Sequence, residues 1–405
     1  MTSAVGEAGL GRSDPGSPLE VLGVFLKLGL TSFGGPVAHL GYFRREFVVR
    51  RAWLDERAYA DLVALCQFLP GPASSQTGFA VGLMRAGYLG GLAAWAGFTL
   101  PSAAAMTLFA YGEGALKGPV GDGLLHGLKL VAVAIVAQAV MGMARALCPD
   151  RPRATIAVLS LVLTAFAPVA WAQIAVILLG ALAGVLGCRQ PADVTVDAAE
   201  TRVSRRMGIV FAALYVALLA LSFAPVGASI AAAAAAFYRS GALVFGGGHV
   251  VLPLLRAAVV DPGWVSDSAF LAGYGAAQAV PGPLFTFAAY LGAVASAPPG
   301  GVIGAALALV AIFMPGLLLL MAALVFWQDL RERTNARAAM AGVNAAVVGL
   351  LASALYNPVW TSAVRGRTDF AGAAAGFVAL TVWRASPLLV VVATAAAAVA
   401  LRFAG

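Results

Sequence analysis

The chain has 405 residues, 61% of them hydrophobic and 11% charged, with a formal net charge of +8. A soluble domain carries about 25% charged residues, so this composition excludes a soluble enzyme or binding module and defines a polytopic membrane protein. The positive charge does not point to nucleic acid, because most Lys and Arg residues fall in short segments between apolar runs, as in cytoplasmic loops of membrane proteins.

In chain order, the first 18 residues are polar, with Glu7, Arg12 and Asp14, and lack the basic-apolar-small order of a cleaved signal. The first hydrophobic segment is therefore expected to be retained. It is interrupted by TSFGGPVAH at 31–39. A polar amphipathic stretch follows, then two apolar segments split by QFLPGP at 67–72. Four spans are predicted next, at 88–112, 124–147, 154–168 and 170–187, the last two joined at Ala167-Pro168. A polar loop at 189–206 and an apolar segment at 207–224 close the first half. Segments 154–188, 207–238 and 268–328 contain no charge, and each is longer than the roughly 20 residues that cross a bilayer.

The same order then repeats at an offset of about 211 residues. Phe33-Gly34-Gly35 matches Phe245-Gly246-Gly247, Trp53 matches Trp264, and QFLPGP matches QAVPGP at 278–283. Leu100-Pro101 matches Met314-Pro315 with a small slip, and Gly127 matches Gly342. The expected organisation is a polar tail (1–18), a first transmembrane repeat (19–187), a loop with a linker helix (188–230) and a second repeat (231–405).

If the FGG and PGP segments are both re-entrant, each repeat crosses four times and the linker helix once, which inverts the second repeat. Charge fits this. Arg44, Arg45, Arg50, Arg51, Arg57, Arg145, Arg151, Arg153, Arg189, Arg202, Arg205, Arg206, Arg331, Arg333 and Arg337 fall inside; Lys117, Lys129, Arg256, Arg365, Arg367 and Arg402 fall outside. A direct repeat with five crossings per unit is the alternative. The expected fold is thus an all-α polytopic membrane protein, an inverted internal repeat with re-entrant or broken helices at the FGG and PGP motifs.

Broken helices survive at membrane depth only where their freed backbone lines a cavity or binds a ligand. In inverted-repeat transporters the N-termini of half-helices face anions near the midplane. The candidate substrate-binding groups are accordingly Phe33, Gly34, Gly35, Gly246 and Gly247, with Gly71, Pro72, Ser74 and Ser75 after the first PGP and Gly282, Pro283 and Thr286 after the second. Pro72 and Pro283 sit where a half-helix would begin. Gln67 and Gln278 could donate to an oxyanion or hold helices together. Lys27 and Arg239 each lie six residues before an FGG motif. A cation in a membrane helix costs about 2.5–3.5 kcal/mol on insertion scales, so a matched pair suggests a clamp for a dianion. The plainer reading is that Lys27 snorkels or pairs with Glu20, and that Arg239 marks a helix end. His39 and His249 are candidate proton carriers.

Cys66, Cys148 and Cys188 are far apart and no Cys/His cluster exists, so neither a disulfide nor a metal site is expected, and no cofactor. The glycine runs lack the context of a nucleotide loop, and no hydrolase or metalloprotease motif is present, so an enzyme is not expected.

FGGP with the following Arg44-Arg45-Glu46-Phe47, QFLPGP, FGGGH and the second PGP together resemble the chromate ion transporters, bacterial inner-membrane proteins of the long-chain, two-domain type. The resemblance covers nearly the whole chain beyond the polar tail. It implies two homologous halves of opposite orientation and export of chromate from the cytoplasm, driven by the proton-motive force. It implies a multi-pass protein of the inner membrane, with a homodimer among the admissible assemblies. Chromate is a tetrahedral dianion shaped like sulfate, so a sulfate permease and an anion channel remain alternatives.

Overall fold

A computed structural model describes residues 16–113, 118–166, 170–188, 203–224, 227 and 229–404. Most of the polar tail, Lys117, the 167–168 junction, Arg189 and Arg202 lie outside the described residues. Within them the protein is all helix, with no strand. Four helical segments are long and apolar enough to cross a membrane: Ala73–Glu113, Gly118–Leu147, Gly301–Trp327 and Thr334–Ala363.

Helix α1 (Pro18–Thr31) starts on Ser17, whose hydroxyl accepts from the N–H of Glu20, and stops before Phe33. Helix α2 (Gly35–Phe43) runs into π turns at Arg44–Arg50 and comes back along α1. Phe47 stacks on Phe25 with ring centroids 5.0 Å apart, and Arg51 pairs with Glu20 at 3.6 Å. Helix α3 (Glu56–Phe68) is capped by Asp55. After the PGP turn, helix α4 (Ala73–Glu113) sends its first part back to the same end, where Arg85 reaches Glu20 at 3.2 Å and lies over Trp53. Both segments are therefore hairpins whose open ends gather at Glu20, Arg51, Trp53 and Arg85. Glu20 is spent on these arginines, not on Lys27.

α4 breaks at Ala86 and Gly87, and its second part runs away from that cluster. Helices α5 (Gly118–Leu147), α6 (Arg151–Phe166) and α7 (Ala170–Gly187) follow, then α8 (Arg205–Leu221). From α9 (Ile230–Ala242) the series recurs. Helix α10 (Val251–Val259), α11 (Asp267–Ala277) and α12 (Phe287–Val294) form two more hairpins, and α13 (Gly301–Glu332) and α14 (Thr334–Ala354) are the long helices. A short α15 (Thr361–Ala363) precedes α16 (Arg367–Thr381) and α17 (Pro387–Ala404). The caps recur too: Ser229 and Ser266 start α9 and α11 as Ser17 and Asp55 start α1 and α3.

The second pair of hairpins opens at the other end of α4. Tyr111 lies against Gly301, and Glu113 bonds Tyr290 on α12. Midway, Trp95 of α4 meets Phe313 of α13, so these two helices run antiparallel. The two halves are also interlaced. α5 packs on α16 and α17, while α14 packs on α6 and α7. Small residues permit this approach. A Cβ on Gly342 would stand 2.0 Å from the Gly180 carbonyl, and one on Gly127 would stand 2.6 Å from Ala395 Cα.

One expectation is corrected by this frame. Lys129 is not a loop cation outside the bundle: it lies within α5 and is 8% exposed, its Nζ donating to Ser268 Oγ at 2.6 Å. Cys148 is only half-buried, whereas Cys66 and Cys188 are buried, and all three are free thiols.

Candidate functional site

The breaks in the helices meet one another crosswise. The N–H of Gly71, in the first PGP, donates to the carbonyl of Val244, just before the second FGG, at 2.7 Å. The N–H of Gly282, in the second PGP, donates to the carbonyl of Ser32, just before the first FGG, at 2.9 Å. Each PGP glycine also faces the proline kink of the other half. A Cβ at Gly71 would sit 3.1 Å from Gly316 Cα, and one at Gly282 would sit 2.8 Å from Ser102 Oγ. Both glycines have left-handed φ, 121° and 97°, which disfavours a side chain independently of space. Pro101 and Pro315 lie inside α4 and α13 at this level.

At the second of these crossings lies a cavity of about 70 Å³ lined by Gly34, Gly35, Pro36, Gln278, Gly282 and His249, among others. It exceeds the roughly 10–15 Å³ that one water requires on the same measure. Gln278 lines it, and its Nε2 is a buried donor without a protein partner. Gln138 of α5 also lines it and bonds the Leu380 carbonyl at 3.2 Å. Leu284 lines it from the first turn after Pro283. Among the described residues no hydrogen bond takes the N–H of Leu284 or Phe285, so this turn keeps the orphan donors of a helix start. Among the described residues no Lys or Arg lines the cavity.

Of the residues singled out in the sequence, the structure brings together Gly34, Gly35, Gln278, Gly282 and His249. Gln138, Ile135 and Pro387 join them without a sequence signal, because they arrive from α5 and from the start of α17, elements with no broken-helix motif. Phe33, Gly246, Gly247, Gly71, Pro72, Ser74, Ser75, Pro283, Thr286 and His39 lie outside this cavity. Several of them are tied up nearby. The Thr286 hydroxyl donates to the Pro283 carbonyl at 2.8 Å. His39 is buried, with Nε2 donating to the Ser32 carbonyl at 3.2 Å and Nδ1 accepting from Ser74 Oγ at 3.4 Å. Both of its ring nitrogens therefore buttress the first FGG break. His249 holds Tyr274 through Nδ1 at 2.7 Å. Gln67 is exposed, and it is Gln76 that braces the first PGP, donating to the carbonyls of Pro70 and Gly316.

The two-cation clamp is not assembled. Lys27 is exposed on α1. Arg239 is half-buried, but it donates to the carbonyl of Ser222 at 2.9 Å and lies over Phe223 at the C-terminal end of α8. A cation there satisfies an end carbonyl and opposes the negative end of the helix dipole. Arg239 lines a separate cavity with Gln173 and Ser240. The sequence spacing before each FGG was equal, yet one cation faces outward and the other caps the linker helix.

Interrupted helices around a buried polar cavity, in an all-α membrane bundle, define a polytopic protein of the transporter type. Comparison with known proteins agrees. The family described as chromate transporter matches residues 19–187 and 231–400, and the chain belongs to it. It is 30% identical over 390 residues to the chromate transport protein of Pseudomonas aeruginosa, covering 94% of this chain and 91% of that one. It is 28% identical over 338 residues to a probable chromate transport protein of Synechococcus elongatus, covering 82% of each. A chromate transport protein of Cupriavidus metallidurans is 24% identical over 334 residues, with 82% and 80% covered. No solved structure matches the chain significantly.

Proposed function

We propose that the chain is a secondary transporter of the bacterial inner membrane that exports a tetrahedral oxyanion, chromate, from the cytoplasm at the expense of the proton-motive force. The observation that carries this reading is the cavity between the first FGG and the second PGP, lined by Gln278, whose buried Nε2 has no protein partner. Beside it lie the free N–H groups after Pro283. Neutral donors and helix starts bind oxyanions without a counter-cation. The names of the relatives support a carrier of chromate and not an enzyme.

The membrane arrangement in this reading is an inverted repeat. Hairpins that open at opposite ends of α4, and the antiparallel course of α4 and α13, favour it over two parallel copies. Access would alternate as one pair of hairpins moves against the other around the crossed breaks.

The experiment is transport of labelled chromate and labelled sulfate into everted vesicles under an imposed pH gradient. Gradient-dependent chromate accumulation is expected. Accumulation of sulfate alone would replace the substrate, and flux of either ion with no response to the gradient would replace the carrier by a channel.

A further inference from the structure

Glu113 ends the second part of α4 and carries none of the repeated motifs. Its carboxylate meets the hydroxyl of Tyr290, a fully buried residue of α12. That ring cannot shift. It covers Gly273 of α11, where a Cβ would stand 2.2 Å from the ring, and it packs on Phe109 and Phe287. The same hydroxyl lies 3.0 Å from the Ala269 carbonyl. A phenol has one proton to give, and two acceptors compete for it. With Glu113 ionised, Tyr290 donates to the carboxylate. With Glu113 protonated, Glu113 donates to the Tyr290 oxygen and Tyr290 turns its proton to Ala269. The tie between α4 and the α11–α12 hairpin thus has two hydrogen-bonded forms that differ by one proton.

The charge setting is equally specific. Lys129 is buried on α5, bonded to Ser268 in the first turn of α11, and within electrostatic reach of Glu113 and Arg365. On the other elements at this end, Asp267 of α11 is held by Arg256 at 3.0 Å and Tyr274 is held by His249. α13 brings Gly301 against Tyr111, and its first 26 residues contain no ionisable side chain. Ionised Glu113 offsets part of the positive charge of Lys129 and Arg365 from a distance; protonated Glu113 removes that offset and leaves Lys129 held by Ser268 alone. In a bilayer a half-buried acid and a buried cation are expensive to keep, and such pairs mark proton pathways.

We propose that Glu113, tied to Tyr290 and set beside Lys129, is the carboxylate that takes up and releases the coupled proton. This rests on the reading of the chain as a proton-driven carrier. The step makes one O–H bond and breaks one: a hydronium ion at the mouth of the hairpin gives its proton to the Glu113 carboxylate and leaves as water, and the Tyr290 hydroxyl keeps its own proton and rotates it into a hydrogen bond with the Ala269 carbonyl. The net positive charge around Lys129 rises by one with it, which biases the α11–α12 hairpin whose tip carries Gln278.

The test uses the full chain in proteoliposomes, with two readouts: chromate accumulation driven by a pH gradient, and chromate–chromate exchange, which needs no net proton movement. For Glu113→Gln, driven accumulation is expected to fall on the order of tenfold and to lose its pH dependence, with exchange within about twofold of wild type. Tyr290→Phe removes a donor to the ionised carboxylate, so its pH profile should move to higher pH. A wild-type pH profile in Glu113→Gln would overturn the proposal. So would loss of exchange together with driven transport, which would make Glu113 a structural tie. Wild-type accumulation that does not respond to the gradient, with exchange intact, would overturn proton coupling alone, whereas absence of any wild-type exchange would remove the carrier reading as well.

Discussion

The N–H of Gly282 donates to the carbonyl of Ser32 across 2.9 Å, joining residues 250 positions apart in the chain. The matching bond from Gly71 to Val244, 2.7 Å, joins the halves the other way. Reciprocal contacts of this kind are what a two-fold relation between like units produces. They also consume two amides that would otherwise be unpaired in the membrane interior.

Substitution at Gly282 is therefore expected to act twice. Alanine there adopts a φ that costs about 1–2 kcal/mol, and its Cβ meets Ser102 and Phe98. Gly282→Ala should lower the thermal midpoint in detergent and abolish chromate transport, and Gly71→Ala should do the same against Gly316. Full transport in both variants would mean that the crossed breaks do not set the path.

Arg239 and Lys27 separate cleanly in the structure, and their variants should separate too. Arg239→Ala strips a charged donor from the α8 end, worth about 1.5–3 kcal/mol. A lower thermal midpoint with unchanged chromate affinity is expected. Lys27→Ala should change neither. A loss of chromate affinity in both variants, at full stability, would restore the two-cation clamp that the geometry does not assemble.

Much of this was legible in the sequence because backbone requirements leave marks. Glycine and proline at 34–36, 70–72 and 281–283 announce breaks, and their recurrence announces the second copy. The span limits follow from uninterrupted apolar runs. Side-chain direction left no such mark. Lys27 and Arg239 hold the same position before FGG, yet α1 turns Lys27 outward while α8, which has no counterpart, supplies a carbonyl for Arg239. Lys129 counts among the outer cations by sequence although it falls inside the predicted span 124–147, because its burial against Ser268 of α11 comes from packing between the halves. Gln138 and Glu113 reach their partners only through packing between halves, and no spacing rule encodes that.

Opposite openings of the hairpins can be checked by labelling. Arg57 and Pro262 lie at the open ends of the two hairpin pairs, and both are exposed. In a background without native cysteines, Arg57→Cys and Pro262→Cys should react with an impermeant maleimide from opposite faces of the membrane. Reaction from one face would make the repeat parallel.

The cavity itself is tested most directly by equilibrium binding of labelled chromate to the purified protein and to Gln278→Glu. The substitution keeps the size of the side chain and replaces a free donor by a negative charge. Wild type should bind chromate with sulfate as a competitor, and the variant should lose that binding on the order of a hundredfold, as removal of a buried donor and introduction of like charge require. Equal binding by the two proteins would place the oxyanion elsewhere in the molecule.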